Sequence, residues 1–146
     1  MSMKAWSECG YGYKLYNKKN IGKIVEFMKK HANQGNCKNY KDLQAYEISG
    51  SSDVYDIAED LETICNEPVE TWISEIIGEE TGFTGFRGYY ANGDTEAHIG
   101  YPPDYPWYMR GDAVLTEEQV TDILLKYAEE LGITAKPEYF ELEYFG

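Results

Sequence analysis

Two histidines and three cysteines limit the nucleophilic chemistry open to this chain of 146 residues. Such chemistry needs a nucleophile, a base and a group that orients the base. Cys9 with His31 or His98 is the conceivable pairing, and no local signature surrounds it. No Cys-x-x-Cys pair is present, which argues against a zinc ribbon. Cys9, Cys37 and Cys65 are spaced evenly, but their flanks do not match, so the spacing reads as coincidence. Gly82, Gly85 and Gly88 fit neither a dinucleotide fingerprint nor a P-loop, which would require a following lysine and Ser/Thr. Arg87-Gly88-Tyr89-Tyr90-Ala91 resembles a fragment of an RNA-recognition strand, in acidic surroundings that argue against RNA. Arg110-Gly111-Asp112 reads as a turn. No catalytic residue, metal ligand or cofactor is assigned.

Carboxylates are the abundant functional group. Residues 42–146 hold 24 of the 26 acids and four basic groups, a net of −20, whereas residues 1–41 carry +7. With so many acids some pair must lie close, so proximity alone does not indicate a glycosidase or a metal site. The order of the acids says more. Asp53, Asp56, Glu59, Asp60 and Glu62 share the polar side of an amphipathic segment. Along a helix they fall at roughly one charge per 3 Å, against about 3.4 Å between phosphates in a nucleic-acid strand. Such a row could occupy the basic groove of a nucleic-acid-binding protein; the commoner reading is a solvated helix face. Direct binding of DNA is disfavoured by phosphate repulsion.

The elements that would hold these groups follow from periodicity. Thr116-Glu117-Glu118-Gln119 is a capping box, flanked by Leu115 and Val120 as a hydrophobic staple. Val120, Ile123, Leu124, Tyr127, Ala128 and Leu131 then mark one helical face, and Gly132 suits a left-handed cap. A helix over 53–66, capped by Ser52 or Asp53, buries Val54, Ile57, Ala58, Leu61, Ile64 and Cys65, the last as an inert thiol. Pro68 opens another, with Val69, Trp72, Ile73, Ile76 and Ile77 inward. Asn20 caps a helix over 21–33 that carries His31 in its last turn, and a weaker helix spans 39–48 with Tyr40, Leu43 and Tyr46 as apolar contacts.

Residues 84–101 read as a hairpin turning at Asn92-Gly93, with His98 facing away from Ile99 as an exposed histidine. Phe140, Leu142 and Tyr144 alternate with acids in a strand over 138–145. Tyr11, Tyr13 and Leu15 alternate over a candidate strand at 11–16, where Gly10 and Gly12 are expected to interrupt regular structure; turn with core tyrosines and ligand-approaching loop are both open there. Three prolines keep Tyr101–Met109 irregular, leaving Tyr105, Trp107 and Tyr108 either packed or presented to a partner. The expected architecture is one α+β domain over 1–146: a small antiparallel sheet with four or five helices on one face.

Trp6-Ser7-Glu8 leading into Gly10-Tyr11-Gly12, the Tyr-Pro-Pro…Pro-Trp loop at 101–107 and the closing Glu143-Tyr144-Phe145-Gly146 together resemble small, mostly uncharacterised acidic proteins of Gram-positive bacteria, their phages and mobile elements. The resemblance implies no catalytic residue. It implies a phage-type, anti-CRISPR-like inhibitor. The leading expectation is therefore a non-enzymatic protein that meets a basic partner through Asp53, Asp56, Glu59, Asp60, Glu62, Tyr105, Trp107 and Tyr108. The alternatives are a small enzyme or ligand-binding protein using the Gly10–Tyr13 and Tyr101–Tyr108 loops, and a homodimer through the aromatic loop. No apolar run reaches the ~20 residues of a membrane span. With no secretory leader, free thiols in the cytoplasm are expected.

Overall fold

The computed structural model describes residues 5–34, 37–50, 52–78, 84–89, 95–101 and 116–145. The chain order is β1 (Ala5–Lys14), α1 (Ile21–Lys30), α2 (Tyr40–Ala45), α3 (Val54–Cys65), α4 (Val69–Gly78), β2 (Thr84–Tyr89), β3 (Thr95–Tyr101), α5 (Glu117–Leu131) and β4 (Glu138–Phe145). The four strands form one antiparallel sheet in the order β2-β3-β1-β4. The α+β arrangement read from periodicity is the one observed.

β1 begins at Ala5 and is continuous through Gly10 and Gly12, so the glycines do not interrupt it. The reason is its place between β3 and β4, where neighbours on both sides complete its backbone hydrogen bonds. Gly12 faces Gly100 across the β1–β3 ladder. A Cβ on Gly12 would lie 2.1 Å from the Ile99 carbonyl oxygen, and one on Gly100 would lie 2.3 Å from that of Tyr11. The two backbones therefore approach more closely than any side chain allows.

One face of the sheet carries Tyr11, Tyr13, Ala97, Ile99 and Tyr101, all buried. Two tyrosines anchor α5 here: the Tyr13 hydroxyl donates to the Leu124 carbonyl at 2.6 Å, and the Tyr11 hydroxyl meets Thr121 Oγ1 at 2.7 Å. Val120, Leu124, Ala128 and Leu131 are buried, and α5 packs on α1 as well as on the tyrosine face of the sheet. Its capping box has both hydrogen bonds, and Gly132 is left-handed at φ 70°. On the same face β2 packs directly on α4: a Cβ on Gly85 would sit 2.7 Å from the Glu70 carbonyl oxygen.

The other face is buried as well, at Phe86, His98 and Leu142. Phe86 and Phe140 come from strands on opposite edges, yet their ring centroids are 5.2 Å apart. A flat sheet would hold those strands about 14 Å apart. The sheet curls around this face, and the missing side chain of Gly10 opens the space that Phe140 and Phe86 fill. His98 lies within this curl, its ring 4.5 Å from that of Phe140. It does face away from Ile99, but the expectation of exposure fails, because an alternating strand puts a side chain in water only when the outer face stays open.

Asn20 also departs from expectation. It makes no side-chain cap for α1. It is buried, and its amide donates to the Leu15 and Leu131 carbonyls at 2.8 and 3.0 Å, joining the end of β1 to the end of α5. α1 ends at Lys30 with His31 as its cap, short of residue 33. α2 ends at Ala45 because Tyr46 turns extended, and Tyr40 is exposed rather than apolar contact.

Candidate interaction surface

α3 orders the acidic row. Asp53 is its N-cap, accepting from Asp56 N at 2.9 Å, while Asp56 accepts from Asp53 N at 3.3 Å. The two carboxylates thus hold each other through the backbone and complement the positive end of the helix dipole. One turn on, the Tyr46 hydroxyl donates to Asp60 at 3.0 Å. Burial, then the bond to Asp60, raises the Tyr46 pKa to about 12. Glu59 stands exposed between them, as does Tyr55 at the helix start.

Glu62 has a different role. It turns inward and hydrogen-bonds Arg87 of β2. The same guanidinium donates a hydrogen bond to Glu70 of α4, Nη2 to Oε2 at 2.9 Å, and its Nε lies in ionic contact with Oε1 at 2.7 Å. Arg87 therefore joins α3, α4 and the sheet in one ion network, with Glu70 buried and Glu62 at its wetter edge. Burial pulls its pKa down, but the two carboxylates outweigh that and raise it. Glu70, only 3% exposed, is pushed up by burial against the opposing pull of Arg87. Sequence reasoning missed Glu70, and it read Glu62 as surface; the available signal was a lone arginine in an acidic segment, which needs carboxylate partners wherever it is buried.

The row on α3 that faces outward is thus Asp53, Asp56, Glu59 and Asp60. Tyr105, Trp107 and Tyr108, expected beside it, lie outside the described residues. Among the described residues no cluster of three potential ligands for a metal ion occurs, and no helix is long and apolar enough to cross a membrane.

Clefts among the described residues include the following three. The one of about 400 Å³ is lined by Lys38, Asn39, Thr63, Cys65 and Glu67. Burial, then a hydrogen bond with Glu75, raises the Glu67 carboxyl to about 7. A second, of about 320 Å³, lies between Lys14, Tyr16, Lys18, Tyr55 and Glu96. A third, of about 230 Å³, holds His31 with Lys23, Phe27 and Glu130. None of the three joins His31, His98 and Cys9. His98 Nε2 is 3.9 Å from Glu96, whose carboxylate is also 3.7 Å from Lys14, while His98 Nδ1 has no hydrogen-bond partner among the described residues. The side of β1 on which a ligand would approach Gly10 and Gly12 is filled by Phe140, Phe86 and the β3 backbone.

The chain matches no protein-family model, no curated protein and no solved structure.

Proposed function

We propose that this is a non-enzymatic interaction protein that docks the outer face of α3 on a basic protein surface, as a phage-type inhibitor of a nucleic-acid-processing complex would. The observation that carries the reading is the restraint on the row: Asp53 and Asp56 are tied to each other's backbone and Asp60 to Tyr46. Carboxylates already held in place lose less rotamer freedom on binding, at about 0.5–1.5 kcal/mol per immobilised side chain. Their spacing suits cationic side chains arranged for phosphates. Phe140 and Phe86 fill the space beside Gly10, and the β3 backbone that beside Gly12, which weighs against a ligand-binding role for the Gly10–Tyr13 stretch.

Affinity capture on immobilised protein across a salt series tests this. A basic nucleic-acid-binding partner retained at low salt and released as salt rises is expected. The triple variant D56K/E59K/D60K should lose capture while keeping a folded circular dichroism spectrum. Failure to retain a basic partner at low salt, or undiminished capture by the folded variant, overturns the reading.

A further inference from the structure

Cys37 and Cys65 enter the core from different segments, and neither is in a disulfide. Cys37 comes from the stretch before α2, and its thiol donates to the Ile64 carbonyl at 3.6 Å. That oxygen is about 2.8 Å from Cys65 Cα by peptide geometry, which places the Cys37 sulfur no more than roughly 6.4 Å from it. The Cys65 thiol also hydrogen-bonds the Cys37 side chain, so the two sulfurs face each other, and a bridge requires them to close to about 2.05 Å. The thiols already interact: burial, then the neighbouring Cys37, raises the Cys65 pKa to about 12. Cys65 also lines the cleft of about 400 Å³ beside Lys38, Asn39 and Glu67, so it has a route to solvent.

We infer that Cys37 and Cys65 form a redox-convertible pair, oxidised to an intramolecular disulfide by a small disulfide such as oxidised glutathione. The Cys65 thiolate attacks one sulfur of the oxidant, forming a mixed disulfide and releasing one glutathione thiolate. The Cys37 sulfur, having given up its proton, attacks Cys65 Sγ and expels the second. Both protein thiols lose hydrogen, and one oxidised glutathione becomes two reduced ones. The high thiol pKa makes exchange slow at neutral pH and faster in alkali. The bridge closes a loop of about 30 residues and ties the C-terminal end of α3 to the segment before α2, constraining the unfolded chain. This inference is independent of the acidic face of α3.

The test uses full-length Cys9→Ser protein, which removes the exposed competing thiol. After incubation with oxidised glutathione at pH 8.5, intact mass should fall by two hydrogens, and digestion should yield a linked Cys37–Cys65 peptide. The midpoint of thermal unfolding should rise by about 10 °C and return with dithiothreitol. In Cys9→Ser/Cys37→Ser the reaction should stop at a glutathione adduct on Cys65. Recovery of both cysteines as free thiols in the first protein, a bridge that lowers the midpoint, or no adduct on Cys65 in the second would overturn the inference.

Discussion

Replacing Arg87 by methionine would remove the cation that joins Glu62 and Glu70. Glu70 is 3% exposed, so its carboxylate would remain buried without the hydrogen bond and ionic contact that Arg87 now supplies. Breaking such a pair from one side costs about 3–5 kcal/mol, most of it the unpaid desolvation of the remaining charge. Glu62 is only half-buried and can swing toward water, so Glu70 carries the larger share. For a chain of this size the loss corresponds to a fall of about 10 °C in the thermal midpoint. The loss should also depend on pH. Burial already raises the folded-state pKa of Glu70 above 4.5, and without Arg87 it rises further. A carboxyl whose folded pKa is raised adds stability below its unfolded value and loses it as pH rises through the folded value. R87M should therefore be most deficient at pH 7–8 and approach the parent near pH 5. The double variant R87M/E70M, with both charges gone, should recover most of the loss. Urea denaturation of the parent, R87M, E70M and the double variant across that pH range measures the coupling. A pH-independent deficit for R87M of about 1 kcal/mol or less, within the range of an exposed ion pair, would refute the argument.

The glycines give a paired prediction: Gly12→Ala should cost about 3 kcal/mol or more, since its Cβ would fall 2.1 Å from backbone that cannot yield. Gly22→Ala, in the first turn of α1 with nothing within 4 Å, should instead gain about 0.4–1 kcal/mol. Parallel urea melts that moved both variants in one direction would contradict the account of the β1–β3 contact. For His98, burial lowers the folded pKa below the ordinary 6.5, against a raising pull from Glu96. The unfolded chain takes up the proton first as pH falls, so stability present above about pH 6.5 is lost below it. His98→Phe should remove that slope and leave the opposite one from Glu67 and Glu70, whose raised pKa values cost stability as pH rises. Chemical denaturation between pH 5.5 and 8 checks this, and identical slopes for parent and variant would exclude His98 as the source.

Local signals carried most of the element assignments. The Thr116–Gln119 and Asp53–Asp56 ends formed as reciprocal caps because each is complete within four residues. The Phe140–Leu142 alternation became β4, with Leu142 buried and Glu141 exposed as the alternation predicts, but the curl that sets Phe140 on Phe86 depends on strands far apart in sequence. Gly10 and Gly12 look like breaks when read locally; between β3 and β4 they are the positions where ring and backbone come close. Glu62 and Asp60 are two residues apart with the same side-chain chemistry, yet one meets Arg87 and the other Tyr46.

The helix and strand periods, the caps of α3 and α5, the α+β class and the concentration of negative charge after residue 41 could be read from the chain alone, since each rests on near neighbours or on composition. The tertiary structure alone decided which acids face water, that His98 is enclosed, that Asn20 joins β1 to α5, and that Cys37 meets Cys65. Those outcomes depend on which surfaces come together across long chain separations, and side-chain spacing holds no record of them.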